Sequence, residues 1–99
     1  MSSLGGDPRF PELRPSPHVV SSRLGDAGVL VHLKTNQIFE LNTTGVRIWE
    51  LIGEGRAFED IVGALGTEFS ADADRVRHEV AELVLALQRE GLLDVGGGG

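Results

Sequence analysis

Cysteine is absent from the 99-residue chain, which excludes a disulfide, a thiolate zinc site and a cysteine nucleophile. Basic residues are scarce: nine Lys and Arg face fifteen Asp and Glu, for a formal net charge of −6. Because proteins bind phosphate backbones mainly by neutralising them with Lys and Arg, this balance argues against DNA or RNA as a partner. A chain without cysteine is compatible with a reducing cytoplasm, where we expect this protein to act.

Long apolar runs are also missing. No stretch approaches the ~18 consecutive apolar residues of a membrane-spanning helix. The first ten residues, MSSLGGDPRF, lack the basic start and apolar run of a signal peptide. We therefore expect no membrane partner. The length suits one domain, with enough apolar residues for one core.

Residues that carry chemistry are present but scattered. His18, His32 and His78 lie far apart, and no acidic residue stands near them at ligand spacing. Ser21 and Ser22 lack the G-x-S-x-G setting of a nucleophile elbow, and no loop contains the G-K-S/T of a phosphate site. The sequence therefore predicts no enzyme, no metal site and no cofactor.

Three apolar segments in the first half of the chain predict β-strands. They are His18–Leu24, Val29–Leu33 and Gln37–Leu41, in which apolar and polar residues tend to alternate. The turn residues of Gly25–Gly28 and Lys34–Asn36 separate them. Short connections of this kind predict a three-stranded antiparallel sheet.

The two ends of the chain differ from its middle. Residues 1–17 hold all four prolines and predict a flexible tail that docks at most through Phe10 and Leu13. Residues 96–99 are glycine and predict a loose end. The folded domain is therefore predicted to span residues 18–95.

Three helices are predicted after the strands. Asn42 is a suitable N-cap for Thr43–Ile52. A second helix, Phe58–Phe69, starts without a capping side chain and contains two glycines, whereas Asp74–Glu90 is the longest element and Gly91 ends it. The order β-β-β-α-α-α predicts an α+β fold.

The third helix has more apolar residues than one stripe can hold. Its predicted core stripe comprises Val76, Val80, Leu83 and Leu87. Ala81, Val84 and Leu85 lie beside that stripe, and two interpretations stay open. Strands or the C-terminal segment could bury them, or they could form one wall of a groove whose other wall is Gln37–Leu41. An apolar strand edge beside such a wall suits an extended peptide that binds as an added strand.

Three segments together resemble the PqqD-like family of recognition elements for ribosomally made, post-translationally modified peptides. They are residues 29–51 (VLVHLKTNQIFELNTTGVRIWEL), the ED-I-V-x-x-L pattern of residues 59–65, and E-G-L-L at residues 90–93. The resemblance covers about residues 18–95. It implies a winged helix-turn-helix-like domain with a three-stranded antiparallel sheet followed by three helices.

The resemblance also implies a function and a site. The leader segment of a precursor peptide would bind between the third strand and the third helix, without catalysis, and be delivered to a modifying enzyme. The implied peptide-binding residues are Gln37, Ile38, Phe39, Glu40 and Leu41 on the strand, and Arg77, Ala81, Val84, Leu85 and Gln88 on the helix. The spacing of Gly45 and Trp49 resembles stand-alone members beside lasso-peptide or radical-enzyme clusters. The partner would then be a leader-cleaving cysteine protease or a radical S-adenosylmethionine (SAM) enzyme.

Two other functions remain as alternatives. A winged-helix DNA-binding regulator shares the fold class, but its would-be recognition helix carries Glu59, Asp60 and Glu68 and no Lys or Arg. The chain could also be a structural subunit of a larger enzyme, with an interface where the groove is predicted. The sequence is compatible with a monomer or with a strand-swapped dimer.

Overall fold

The structure is a computed structural model, and it describes residues 12–95. Within these residues, eight elements follow one another: β1 Leu13–Pro15, β2 Val19–Leu24, β3 Ala27–His32, β4 Gln37–Leu41, α1 Thr43–Gly53, α2 Phe58–Glu68, α3 Ala73–Arg89 and β5 Leu93–Val95. The predicted α+β class, with three antiparallel strands before three helices, is confirmed. Phe10 and the glycines at 96–99, for which the sequence predicts tail behaviour, lie outside the described residues.

Strands β2, β3 and β4 form an antiparallel sheet in that order. Leu30 of β3 lies opposite Phe39 of β4, and Leu30 is fully buried on the face that packs against the helices. Asn36 closes the β3–β4 loop with a φ of 62°, a left-handed conformation that asparagine tolerates better than most residues. The sheet therefore has one core-facing side and one outer side.

A second, two-stranded sheet joins the two ends of the domain. Leu13 of β1 lies opposite Val95 of β5, and the backbone N–H of Ser16 donates to the carbonyl of Leu92 at 3.1 Å. Leu13 is 4% exposed and belongs to the core. The sequence assigns residues 13–17 to a flexible tail, whereas the structure pairs β1 with β5, because a buried leucine and ladder hydrogen bonds hold it there.

The helices begin where local chemistry favours it. The Asn42 side chain accepts a hydrogen bond from the Gly45 N–H at 2.8 Å and caps α1. The Asp72 side chain caps α3 in the same way, whereas α2 starts at Ala57 without a side-chain cap. Because α2 lacks this local stabilisation, it depends more on burial of its apolar face.

Packing of the three helices buries most of the large apolar side chains. Phe58 and Ile61 of α2 and Leu51 of α1 are at most 1% exposed. An ion pair links α1 to α2: Arg47 Nη2 lies 2.8 Å from Glu68 Oε2. The hydrogen bond with Arg47 lowers the pKa of Glu68 below its ordinary value. Burial and one cross-helix ion pair thus position α1 and α2.

Candidate functional site

Strand β4 lies at one edge of the three-stranded sheet. Its inner neighbour is β3, and no strand within residues 12–95 pairs with its other edge. Alternate residues of an edge strand direct their N–H and C=O groups outward, where another extended chain can bind them. The predicted free edge at Gln37–Leu41 is therefore confirmed.

A groove of about 490 Å³ runs beside this edge. Its walls come from β4 with the cap residue, from the first turns of α1 and from the middle of α3. The lining residues are Phe39, Glu40, Leu41, Asn42, Thr44, Gly45, Ile48, Glu79, Glu82 and Leu83. An open strand edge and a helix wall thus face one space.

Helix α3 runs antiparallel to β4 across the groove. Gln37, at the start of β4, donates a side-chain hydrogen bond to Glu90, just after the end of α3. Leu41, at the end of β4, lines the groove together with Glu79. The distance from Glu79 to Glu90 along the helix is about 17 Å, and five residues of extended chain span a similar length. Strand β4 therefore offers an edge of about the length of a five-residue extended segment.

The charge of the groove is negative. Glu40, Glu79 and Glu82 line it, and none of its lining residues in the described chain is Lys or Arg. Glu82 contacts His78 at 3.3 Å, which is an ion pair only when the histidine is protonated. The groove therefore combines an apolar floor with a rim of carboxylates.

Comparison with known families decides what kind of domain this is. The model of the family described as coenzyme PQQ synthesis protein D (PqqD) matches residues 27–93. The chain belongs to the PqqD family. Both β4 and the wall that α3 contributes to the groove lie inside the matched segment.

Two solved structures resemble this PqqD-family chain. One is described as TbiB1 in complex with the TbiA(beta) leader peptide: it is 37% identical, with a TM-score of 0.78 over 87% of this chain and 98% of that one. The other is described as lasso peptide synthetase B1 complexed with the leader peptide, at 22% identity, a TM-score of 0.77 and coverage of 84% and 98%. The second likeness shows the fold alone. No match was found among curated proteins.

The five strand residues predicted for the site of this PqqD-family protein all lie in β4. Phe39 and Leu41 face inward and line the groove, and Leu41 is 5% exposed. Ile38, at 64% exposure, and Glu40 alternate with them toward the outer face. Gln37 and Ile38 are not among the lining residues, and the side chain of Gln37 donates a hydrogen bond to Glu90.

The five helix residues predicted for the site lie elsewhere, and none of them lines the groove. Val84 has no exposed surface and Ala81 is 8% exposed, so both belong to the core. Arg77 pairs with Glu59 of α2, whereas Leu85 and Gln88 are exposed. A role for these five residues in peptide binding stays a prediction.

The groove side of α3 is instead formed by Glu79, Glu82 and Leu83. The sequence predicts Leu83 in the core stripe, but it is only half-buried and packs at the margin of the core. Successive residues of a helix are separated by about 100°, so Leu83 and Val84 face different neighbours. The observed core residues of α3 are Val76, Val80, Ala81, Val84 and Leu87.

Neither a metal-binding cluster nor a membrane-spanning helix is found among the described residues. Within residues 12–95, no three His, Asp or Glu side chains converge as a metal ion would require. No helix in the same part of the chain is long and apolar enough to cross a membrane. The features that the groove presents are therefore hydrogen-bonding backbone, apolar surface and negative charge.

Proposed function

We propose that this protein binds the leader segment of a ribosomally made precursor peptide as an extra strand along β4, without catalysing a reaction. The observation that carries the proposal is an unpaired β4 edge beside an open groove in a member of the PqqD family. Main-chain hydrogen bonds to β4 would supply affinity, and alternate side chains would supply specificity.

The groove determines how such a strand would lie. Side chains on one face of the peptide would enter the groove and contact Phe39, Ile48 and Leu83. Side chains on the other face would lie beside Ile38 and Glu40 on the outer face of the sheet. A segment of about five residues is long enough to cover β4.

The strand residues of the proposed site are those that the sequence predicts, whereas the helix residues are different ones. Gln37–Leu41 form the strand wall. Glu79, Glu82 and Leu83 form the helix wall, because they line the groove and Val84 has no surface to offer a ligand. Arg77 would not contact the leader, because its ion pair with Glu59 directs it toward α2.

The solved relative at 37% identity supports the kind of ligand. It is described as TbiB1 in complex with the TbiA(beta) leader peptide. We therefore propose that this chain delivers its precursor to a separate modifying enzyme in the cytoplasm. A leader-cleaving cysteine protease fits a lasso-peptide cluster, and a radical SAM enzyme is the other candidate.

Hydrogen exchange tests the proposal directly. The probe is the leader segment of a precursor peptide encoded beside this gene, in its natural form and in a form N-methylated at alternate residues. Natural leader should slow exchange of the β4 amides and leave those of α2 unchanged, because only β4 gains hydrogen-bond partners. The N-methylated form, which cannot donate those bonds, should bind at least tenfold more weakly. Binding that leaves β4 exchange unaltered would contradict strand addition.

A further inference from the structure

Carboxylates lie on the helix wall of the groove and next to its strand wall. Glu79 and Glu82 lie on the helix side, and Glu40 lies on β4 with its side chain toward the outer face of the sheet. The apolar surface of Phe39, Leu41 and Leu83 lies among these groups. The groove thus combines apolar surface with an acidic helix wall, and Glu40 adds a carboxylate on the outer face of β4.

Neighbouring cations compensate these carboxylates only weakly. Glu79 lies 3.6 Å from Arg75, and the arginine side chain is 78% exposed. Glu82 has His78 as its neighbour and is itself 70% exposed. Glu40 takes part in no ion pair within residues 12–95. Because exposed pairs of this kind contribute little, these carboxylates remain available to a cationic ligand.

We propose that the peptide recognised here is cationic, with Lys or Arg side chains beside the groove carboxylates and an apolar side chain against Leu83. This inference rests on the proposed function and adds the charge pattern of the ligand to it. A strand added to β4 has one residue beside Glu40 on the outer face, at cross-strand distance. The alternate set points into the groove, where Leu83 contacts the apolar side chain and Glu79 and Glu82 contact the basic ones.

Charge complementarity also favours one kind of ligand at the β4 edge over nucleic acid and over a second copy of this chain. Nucleic acid would bring phosphates against Glu40, Glu79 and Glu82, so like charges would meet. A second copy of this chain carries the same net charge of −6, which disfavours self-pairing at this edge. A basic extended peptide matches both the strand edge and the charge.

Selection from random peptides tests the inference, because it does not require the natural ligand. Displayed random peptides of about ten residues are selected against three proteins: wild type, the Glu40→Gln/Glu82→Gln double variant, and the Glu54→Gln/Asp60→Asn double variant. Both double variants lose two negative charges, but Glu54 and Asp60 are exposed and lie outside the groove lining. All three proteins are first compared by circular dichroism.

We expect wild type and the Glu54/Asp60 control to enrich peptides that carry Lys or Arg together with an apolar residue. The Glu40/Glu82 variant should lose that enrichment and bind the selected peptides about fivefold to tenfold more weakly. Raising NaCl from about 50 mM to about 500 mM should reduce this difference, since salt screens exposed charges. Enrichment of neutral or acidic peptides by wild type would overturn the inference and leave peptide binding intact. If wild type enriches no peptide at all, both this inference and the proposed function are wrong.

Discussion

Substitutions at two adjacent residues of α3 should change two different properties. One should weaken ligand binding, and the other should lower the stability of the fold. Leu83 lines the groove and is half-buried, whereas Val84 has no exposed surface. We expect Leu83→Ala to weaken leader binding with a small effect on stability. Val84→Ala should destabilise the fold and leave the affinity of the folded protein unchanged. Both variants remove only carbon atoms, so neither introduces a buried charge.

The expected magnitudes follow from the exposure of each side chain. Val84→Ala removes two buried carbon groups at ~0.8 kcal/mol each and leaves a cavity, for a total of about 2 to 3 kcal/mol. In a domain of this size, that corresponds to a fall in Tm of about 10 to 20 °C. Leu83→Ala removes three groups of which the peptide would cover about half, so binding should weaken by about 1 kcal/mol, or roughly fivefold to tenfold.

Two measurements on each variant decide the outcome. Thermal unfolding by circular dichroism gives Tm, and fluorescence anisotropy with labelled leader gives Kd at a temperature where every variant is folded. Leu85→Ala is the matched control, because Leu85 is also on α3, is 41% exposed and lies outside the groove lining. If Val84→Ala or Leu85→Ala weakens binding and Leu83→Ala does not, the helix wall assigned here is wrong.

Three further predictions concern the scaffold. Asn42→Ala removes the bond to the Gly45 N–H and should cost about 1 kcal/mol in urea unfolding. Gly28→Ala should destabilise by at least about 1 kcal/mol in the same assay, because a Cβ would lie 3.1 Å from a β2 carbonyl oxygen. The lowered pKa of Glu68 beside Arg47 stabilises the fold above the ordinary pKa of 4.5 and ceases to do so as pH falls through the folded-state value. The Tm difference between wild type and Glu68→Gln should therefore shrink on acidification.

The order and type of the main elements could be predicted because their causes are local. Asn42 caps the turn that follows it, and alternation along Gln37–Leu41 indicates a strand without reference to the rest of the chain. Such signals depend on residues within about four positions of one another. The same locality explains why α2 could be recognised as a helix without a cap at Ala57.

No local pattern in the sequence predicted that β1 and β5, at the two ends of the domain, pair with each other. β1 and β5 have three residues each and are separated by most of the domain. The prolines around Leu13 favour a tail when that segment is considered alone. Only the folded chain brings Leu13 next to the core and opposite β5, because the end of α3 directs the C-terminal segment there.

Sequence alone determined that this chain forms a strand meander followed by helices, and it predicted that β4 and α3 would form one shared site. Tertiary structure alone decided which flank of α3 faces β4. Helical periodicity identifies a stripe, but the flanks on either side of that stripe look equivalent in sequence. The packing of α3 against α2, seen in the pairing of Arg77 with Glu59, breaks this equivalence. It buries Val84 and turns Leu83, with its neighbouring carboxylates, toward the groove.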